Sequence, residues 1–129
     1  MALQTNWLFL HRDIPDGAKN ELNEQNWQKV TIPHDWAISG PFSKENDLQK
    51  VQVTEDGEKT PMVRSGRTGG LPYTGVGWYR KHLTIPAEDR GKAFSLEFDG
   101  AMSHAKVFVN NQFAGEWPYG YASFSFPIT

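Results

Sequence analysis

The chain contains no cysteine. Disulfides, thiolate zinc sites and cysteine nucleophiles are therefore excluded, and the redox compartment stays open. Charge of one sign is also missing. Thirteen basic and 15 acidic side chains leave a formal charge of −2, which gives no electrostatic reason to expect nucleic acid or an anionic membrane as partner. No apolar run approaches the roughly 20 residues of a membrane span, and Met1 to Asn6 has neither a basic nor an apolar leader region. With 129 residues, the chain can hold one domain and its core, but not a (β/α)8 barrel of roughly 250 residues.

Helix signals are scarce as well. Asp16 to Gln25 is polar and lacks an apolar stripe, so it supports one helical turn at most. Aromatics, by contrast, are abundant: 13% of the chain, with five Trp and eight Phe. Many of them alternate with polar residues. Phe94, Leu96 and Phe98 alternate with Ser95, Glu97 and Asp99. Ala105, Val107 and Val109 lead into Asn110-Asn111, a pair that tolerates the positive φ of a two-residue hairpin turn, and Phe113 to Trp117 reads as the return strand. Phe124, Phe126 and Ile128 alternate again. Trp78 to Ile85 reads as an earlier strand with Tyr79, Lys81, Leu83 and Ile85 on one face. Trp7 to His11 and Trp27 to Ile32 add two more.

This pattern predicts an all-β, antiparallel jelly-roll β-sandwich of about six or seven strands, against about eight in a closed jelly roll. The sheet is expected to be open at its C-terminal edge, and that edge is expected to let the chain self-associate. Residues 43–70 form a long polar insertion. Within it, Val51 and Val53 before Asp56-Gly57, with Met62 and Val63 after, predict a small hairpin. The insertion reads as a surface excursion, with a lid or subunit-contact arm as the functional alternative.

The stretch from Thr68 to Lys81, TGGLPYTGVGWYRK, is rich in glycine and aromatics. Such a loop on a β-framework suits either a sugar-facing site or a tightly packed corner. Asp35, between His34 and Trp36, is a candidate sugar-hydroxyl ligand, or else a carboxylate that fixes its own turn. Trp36, Trp78 and Trp117 are candidate stacking platforms, set against roles in core or interface. The histidines show no metal-ligand spacing, so no metal is expected. Glu97 and Asp99 point to opposite sheet faces and do not form a catalytic carboxylate pair.

Several blocks resemble the N-terminal domain of glycoside hydrolase family 2, the β-galactosidase and β-glucuronidase family. They are Asn26-Trp27 with Val30-Thr31-Ile32-Pro33-His34-Asp35-Trp36, then Gly75-Val76-Gly77-Trp78-Tyr79-Arg80-Lys81. Next come Phe98-Asp99-Gly100-Ala101-Met102-Ser103 with Val107-Phe108-Val109-Asn110, and finally Gly120-Tyr121-Ala122-Ser123-Phe124. Asn111 departs from the usual glycine of that pattern, and Pro127 from a common aspartate. Proline in a strand removes a ladder donor, so Phe124 to Thr129 is expected at an edge or bend.

The resemblance implies a jelly-roll domain followed by an immunoglobulin-like domain and a (β/α)8 barrel. The barrel carries two glutamates working by a retaining mechanism, about 5–5.5 Å apart. No catalytic residue and no cofactor therefore fall in this chain. Pro72, Tyr73 and Thr74 would lie on the loop directed toward the barrel mouth. The implied partners are the downstream domains and a β-linked galactoside-type sugar. A free-standing carbohydrate-binding module, a β-glucuronidase-like parent and a purely structural or dimerisation module remain alternatives.

Overall fold

The computed structural model describes residues 2–43, 45, 48–65 and 75–128. Pro72, Tyr73 and Thr74 lie outside the described residues, as does part of the 43–70 insertion. The chain divides into two compact units. One comprises Met1–Asp13 and Trp27–Lys81, the other Ile14–Asn26 and His82–Thr129.

The first unit is built on a three-stranded antiparallel sheet. Its strands are β1 (Trp7–Leu10), β2 (Gln28–Val30) and, after the two hairpin strands described below, β5 (Trp78–Arg80), with β1 in the centre. Phe9 lies opposite Gln28 on one side and Tyr79 on the other. Because side chains alternate along a strand and share a face across it, Trp7, Phe9, Gln28, Val30 and Tyr79 occupy a single face. Among the described residues of this unit, Phe9, Val30, Trp27 and Ala37 are the buried apolar side chains. At the margin of the same face, the Lys81 ammonium sits 5.9 Å over the Trp7 ring and donates to the Thr5 carbonyl.

Within the insertion, β3 (Leu48–Glu55) and β4 (Glu58–Ser65) form the expected hairpin. Asp56 (φ 51°) and Gly57 (φ 86°) make its two-residue turn. Both φ values are positive, as the right-handed strand twist demands of such a turn.

In the second unit, β6 (Ser95–Phe98) pairs with β9 (Phe124–Pro127), and β7 (Ala105–Val109) with β8 (Gln112–Trp117). Asn110 (φ 49°) and Asn111 (φ 66°) form the predicted turn between β7 and β8. Phe124 is the buried centre, stacked against Phe98 at 4.7 Å and Trp117 at 5.7 Å between ring centroids. Gly115 admits the Phe126 ring, which a Cβ there would meet at 2.3 Å. Pro127 is the last residue of β9, where a missing N–H does least harm.

All strand pairings are antiparallel, and no sheet closes into a barrel among the described residues. The all-β class expected from the alternation is the class observed. One expectation needs correction. The strand predicted from Trp78 to Ile85 ends at Arg80, because β1 offers β5 only Leu8 to Leu10 as partners; Leu83 and Ile85 lie beyond it and are exposed. Phe108 on β7 is half-buried. A bulge between Val107 and Phe108 shifts the register and sets Phe108 opposite Phe113.

Candidate functional site

The chemistry-bearing side chains of the first unit gather over the Phe9 face of its sheet. After β2 the chain passes through His34 and Asp35 into a short 3-10 turn, Trp36–Ser39. Asp35 caps that turn: its backbone is extended (φ −119°, ψ 110°), and its Oδ1 accepts from the Ala37 N–H at 2.9 Å. This is the ordinary work of an N-cap aspartate. It matches the turn-fixing reading of this residue.

The cap delivers its two neighbours onto the sheet. The His34 ring meets Phe9 edge-on at 4.8 Å, and its Nδ1 lies 2.8 Å from the Tyr79 hydroxyl. Burial pushes the Tyr79 phenol up to about 12, and the nearby negative charge of Asp35 adds to the rise. The hydroxyl and the imidazole thus share one hydrogen bond between β5 and the segment that follows β2. Trp36 stacks on His11 at 4.5 Å with 14° between the planes and lies 5.5 Å from Phe9. Its six-membered ring occupies the space that a side chain at Gly77 would need: a Cβ there would lie 1.8 Å from Cζ3. Glycine at 77 is thus the seat of Trp36.

Between this ring cluster and the turn lies a half-open cavity of about 180 Å³. Phe9, His11, Gln28, His34, Trp36 and Ser39 line it. Of the residues singled out in the sequence, Trp36 is on its wall and Asp35 holds the turn that shapes it. Trp78 is half-buried on β5 opposite Leu10. Trp117 belongs to the packing of the second unit, between Phe124 and the edge of Tyr119. Its Nε1 is buried without a hydrogen-bond partner among the described residues.

His11, Gln28, Ser39 and Tyr79 were not marked as site residues by the sequence. The contacts that join them span long separations, 45 residues for His34 and Tyr79, and only strand register brings them together. Among the described residues no group of three or more His, Cys, Asp or Glu is placed to hold a metal ion, and no helix is long and apolar enough to cross a membrane.

These features define an antiparallel β-domain with an aromatic and imidazole-lined hollow on one sheet face. No protein-family model matches the chain. Its relatives identify its kinship. The chain is 38% identical over 123 residues to the β-galactosidase BoGH2A of Bacteroides ovatus, covering 95% of the chain and 12% of that protein. It is 31% identical over 124 residues to a putative β-glucuronidase of Formosa agariphila, covering 96% of the chain and 10% of the relative. A solved glycosyl hydrolase family 2 member from Bacteroides cellulosilyticus superposes with a TM-score of 0.77 at 30% identity, over 98% of this chain and 15% of that one. The chain is homologous to enzymes of glycoside hydrolase family 2, and it spans only a small fraction of these much larger proteins.

Proposed function

We propose that this chain is the non-catalytic N-terminal β-domain of a larger retaining exo-glycosidase resembling β-galactosidase, and that it supports the active-site mouth of a (β/α)8 barrel. The observation that carries this reading is the near-complete match of the chain to a small share of each relative, 12% of BoGH2A. The paired glutamates of a retaining mechanism belong to the barrel, and the reaction calls on no cofactor from this chain. By the resemblance to the family, Pro72, Tyr73 and Thr74 are the candidates nearest the sugar in the intact protein, with Tyr73 or Thr74 as its contact. The His34–Tyr79 bond and the Trp36 seat hold the unit from which that loop departs.

The test compares the isolated chain with the intact protein on aryl β-galactosides and β-glucuronides. The isolated chain is expected to turn over neither. The intact protein is expected to hydrolyse the galactoside, with KM raised in Tyr73→Ala. Turnover by the chain, retained through purification from host enzymes, would overturn the placement of the catalytic pair. The names of several relatives favour a β-glucuronidase as second reading; preference of the intact protein for the anionic substrate would establish it instead.

A further inference from the structure

We propose that Asp56-Gly57, at the tip of the β3–β4 hairpin, is a site of spontaneous isoaspartyl modification, selected by the fold from three such dipeptides. Asp16-Gly17 and Asp99-Gly100 are the other two. The chemistry is intramolecular. The glycine backbone nitrogen attacks the aspartate Cγ and an N–Cγ bond forms. The amide proton and one carboxyl oxygen leave as water, with a further proton supplied by solvent. Water then opens the resulting succinimide at either carbonyl. Opening at Cγ restores aspartate. Opening at the main-chain carbonyl leaves the chain joined through Cγ, as an isoaspartyl residue of unchanged mass. One water is released and one taken up, solvent regains its proton, and no other reactant is needed. Glycine in second place favours closure, because no Cβ hinders the approach of the two groups.

The three dipeptides differ in what holds them. Gly17 is buried, its N–H donates to the Ile14 carbonyl at 3.2 Å, and Asp16 pairs with Lys19 at 3.0 Å. Both reacting groups are occupied there. Asp99-Gly100 follows directly on β6, whose Phe98 stacks on buried Phe124. A Cβ at Gly100 would lie 3.4 Å from the Gly120 carbonyl oxygen, so neighbouring backbone confines this pair. Asp56 and Gly57 are both exposed, and a Cβ at Gly57 would meet nothing within 4 Å. The ladder closes at Glu55 opposite Glu58, which leaves the Gly57 N–H outside it. Among the described residues, β3 and β4 pair and pack only with each other. A lone two-stranded hairpin is marginally stable in water, so this tip opens locally while the packed cores stay closed. The carboxyl and the nitrogen can then meet. An isoaspartyl link adds a CH2 to the main chain inside a two-residue turn, so Glu55 and Glu58 no longer close the ladder.

The chain is aged at mildly acidic pH, in buffer and in parallel in concentrated denaturant. It is then digested, and isoaspartyl peptides are identified by enzymatic methylation and mass spectrometry. In buffer, the peptide holding Asp56 is expected to convert at least about tenfold faster than those holding Asp99 or Asp16. In denaturant the three should convert at similar rates, since no fold then distinguishes them. Amide exchange in the modified fraction, separated by ion exchange, is expected to rise over residues 48–65 and to stay unchanged in β6 to β9. No conversion at Asp56 in buffer, equal rates at the three sites, or faster conversion at Asp99 or Asp16 would each overturn the site. A ranking that persists in denaturant would overturn selection by the fold and assign it to local sequence. Unaltered exchange over residues 48–65 would overturn the loosening of the hairpin. None of these measurements involves a sugar or its hydrolysis, so their outcome is independent of the glycosidase reading.

Discussion

At the scale of the residue, two side chains decide whether the hollow exists. Trp36 is held where it is because residue 77 has no Cβ. In Gly77→Ala the new methyl would overlap the ring at 1.8 Å, and a stacked indole has little room to retreat. Overpacking of this kind costs about 1–3 kcal/mol, and the closeness here places the variant near the top of that range. Chemical denaturation of the variant should show its midpoint shifted down by a corresponding amount. An unchanged midpoint would mean that Trp36 is not seated on Gly77. Tyr79 supplies the second test. Its folded pKa, raised to about 12 from an ordinary 10, means that the folded state holds the phenolic proton more tightly than the unfolded chain. The stabilisation is complete below pH 10 and is lost as pH rises through 12. Melting temperature should therefore fall over that window more steeply in the wild type than in Tyr79→Phe. Equal slopes would show that Tyr79 is not the shielded group.

At the scale of the element, the turns and short alternating strands were the most legible parts of the sequence. Asp56-Gly57 and Asn110-Asn111 form hairpin turns because their residue types tolerate positive φ, a local property that needs no knowledge of the rest of the fold. Asn111 tolerates it less well than glycine would. At φ 66°, Asn111→Gly is expected to stabilise the β7–β8 hairpin by about 0.5 kcal/mol, read as a rise in denaturation midpoint. A loss of stability would show that the Asn111 side chain contributes more than its strain removes. The extent of β5 was not legible, because alternation in Lys81 to Ile85 says nothing of how long the partner strand runs. The bulge was not legible either: one extra residue in β8 moves the register beside Phe108. The site was legible in part. An aspartate ahead of Trp36-Ala37 announces a cap, whereas the row Gln28–Phe9–Tyr79 comes from three strands far apart in sequence and appears only once their register is known.

At the scale of the whole molecule, the sparse core matters most. Among the described residues only five hydrophobic side chains are buried, while Ile38, Met102 and Tyr121 are 66%, 63% and 91% exposed. Scattered exposure of this sort is common, but here it accompanies sheets of two or three strands, so that among the described residues most strands lie at a sheet edge. Such edges accept a further strand readily, and apolar neighbours strengthen the pairing by removing surface from water. The isolated chain should therefore associate with itself as its concentration rises. Sedimentation velocity across a hundredfold range is expected to show a growing sedimentation coefficient. The association should persist in high salt, because it rests on apolar burial and backbone pairing and screening weakens only charge–charge contacts. On the proposed function, the further domains of the intact protein would cover part of this surface and lessen the concentration dependence. A chain that stays monomeric at the highest concentration would mean that the exposed residues and edges are protected by the fold as it stands.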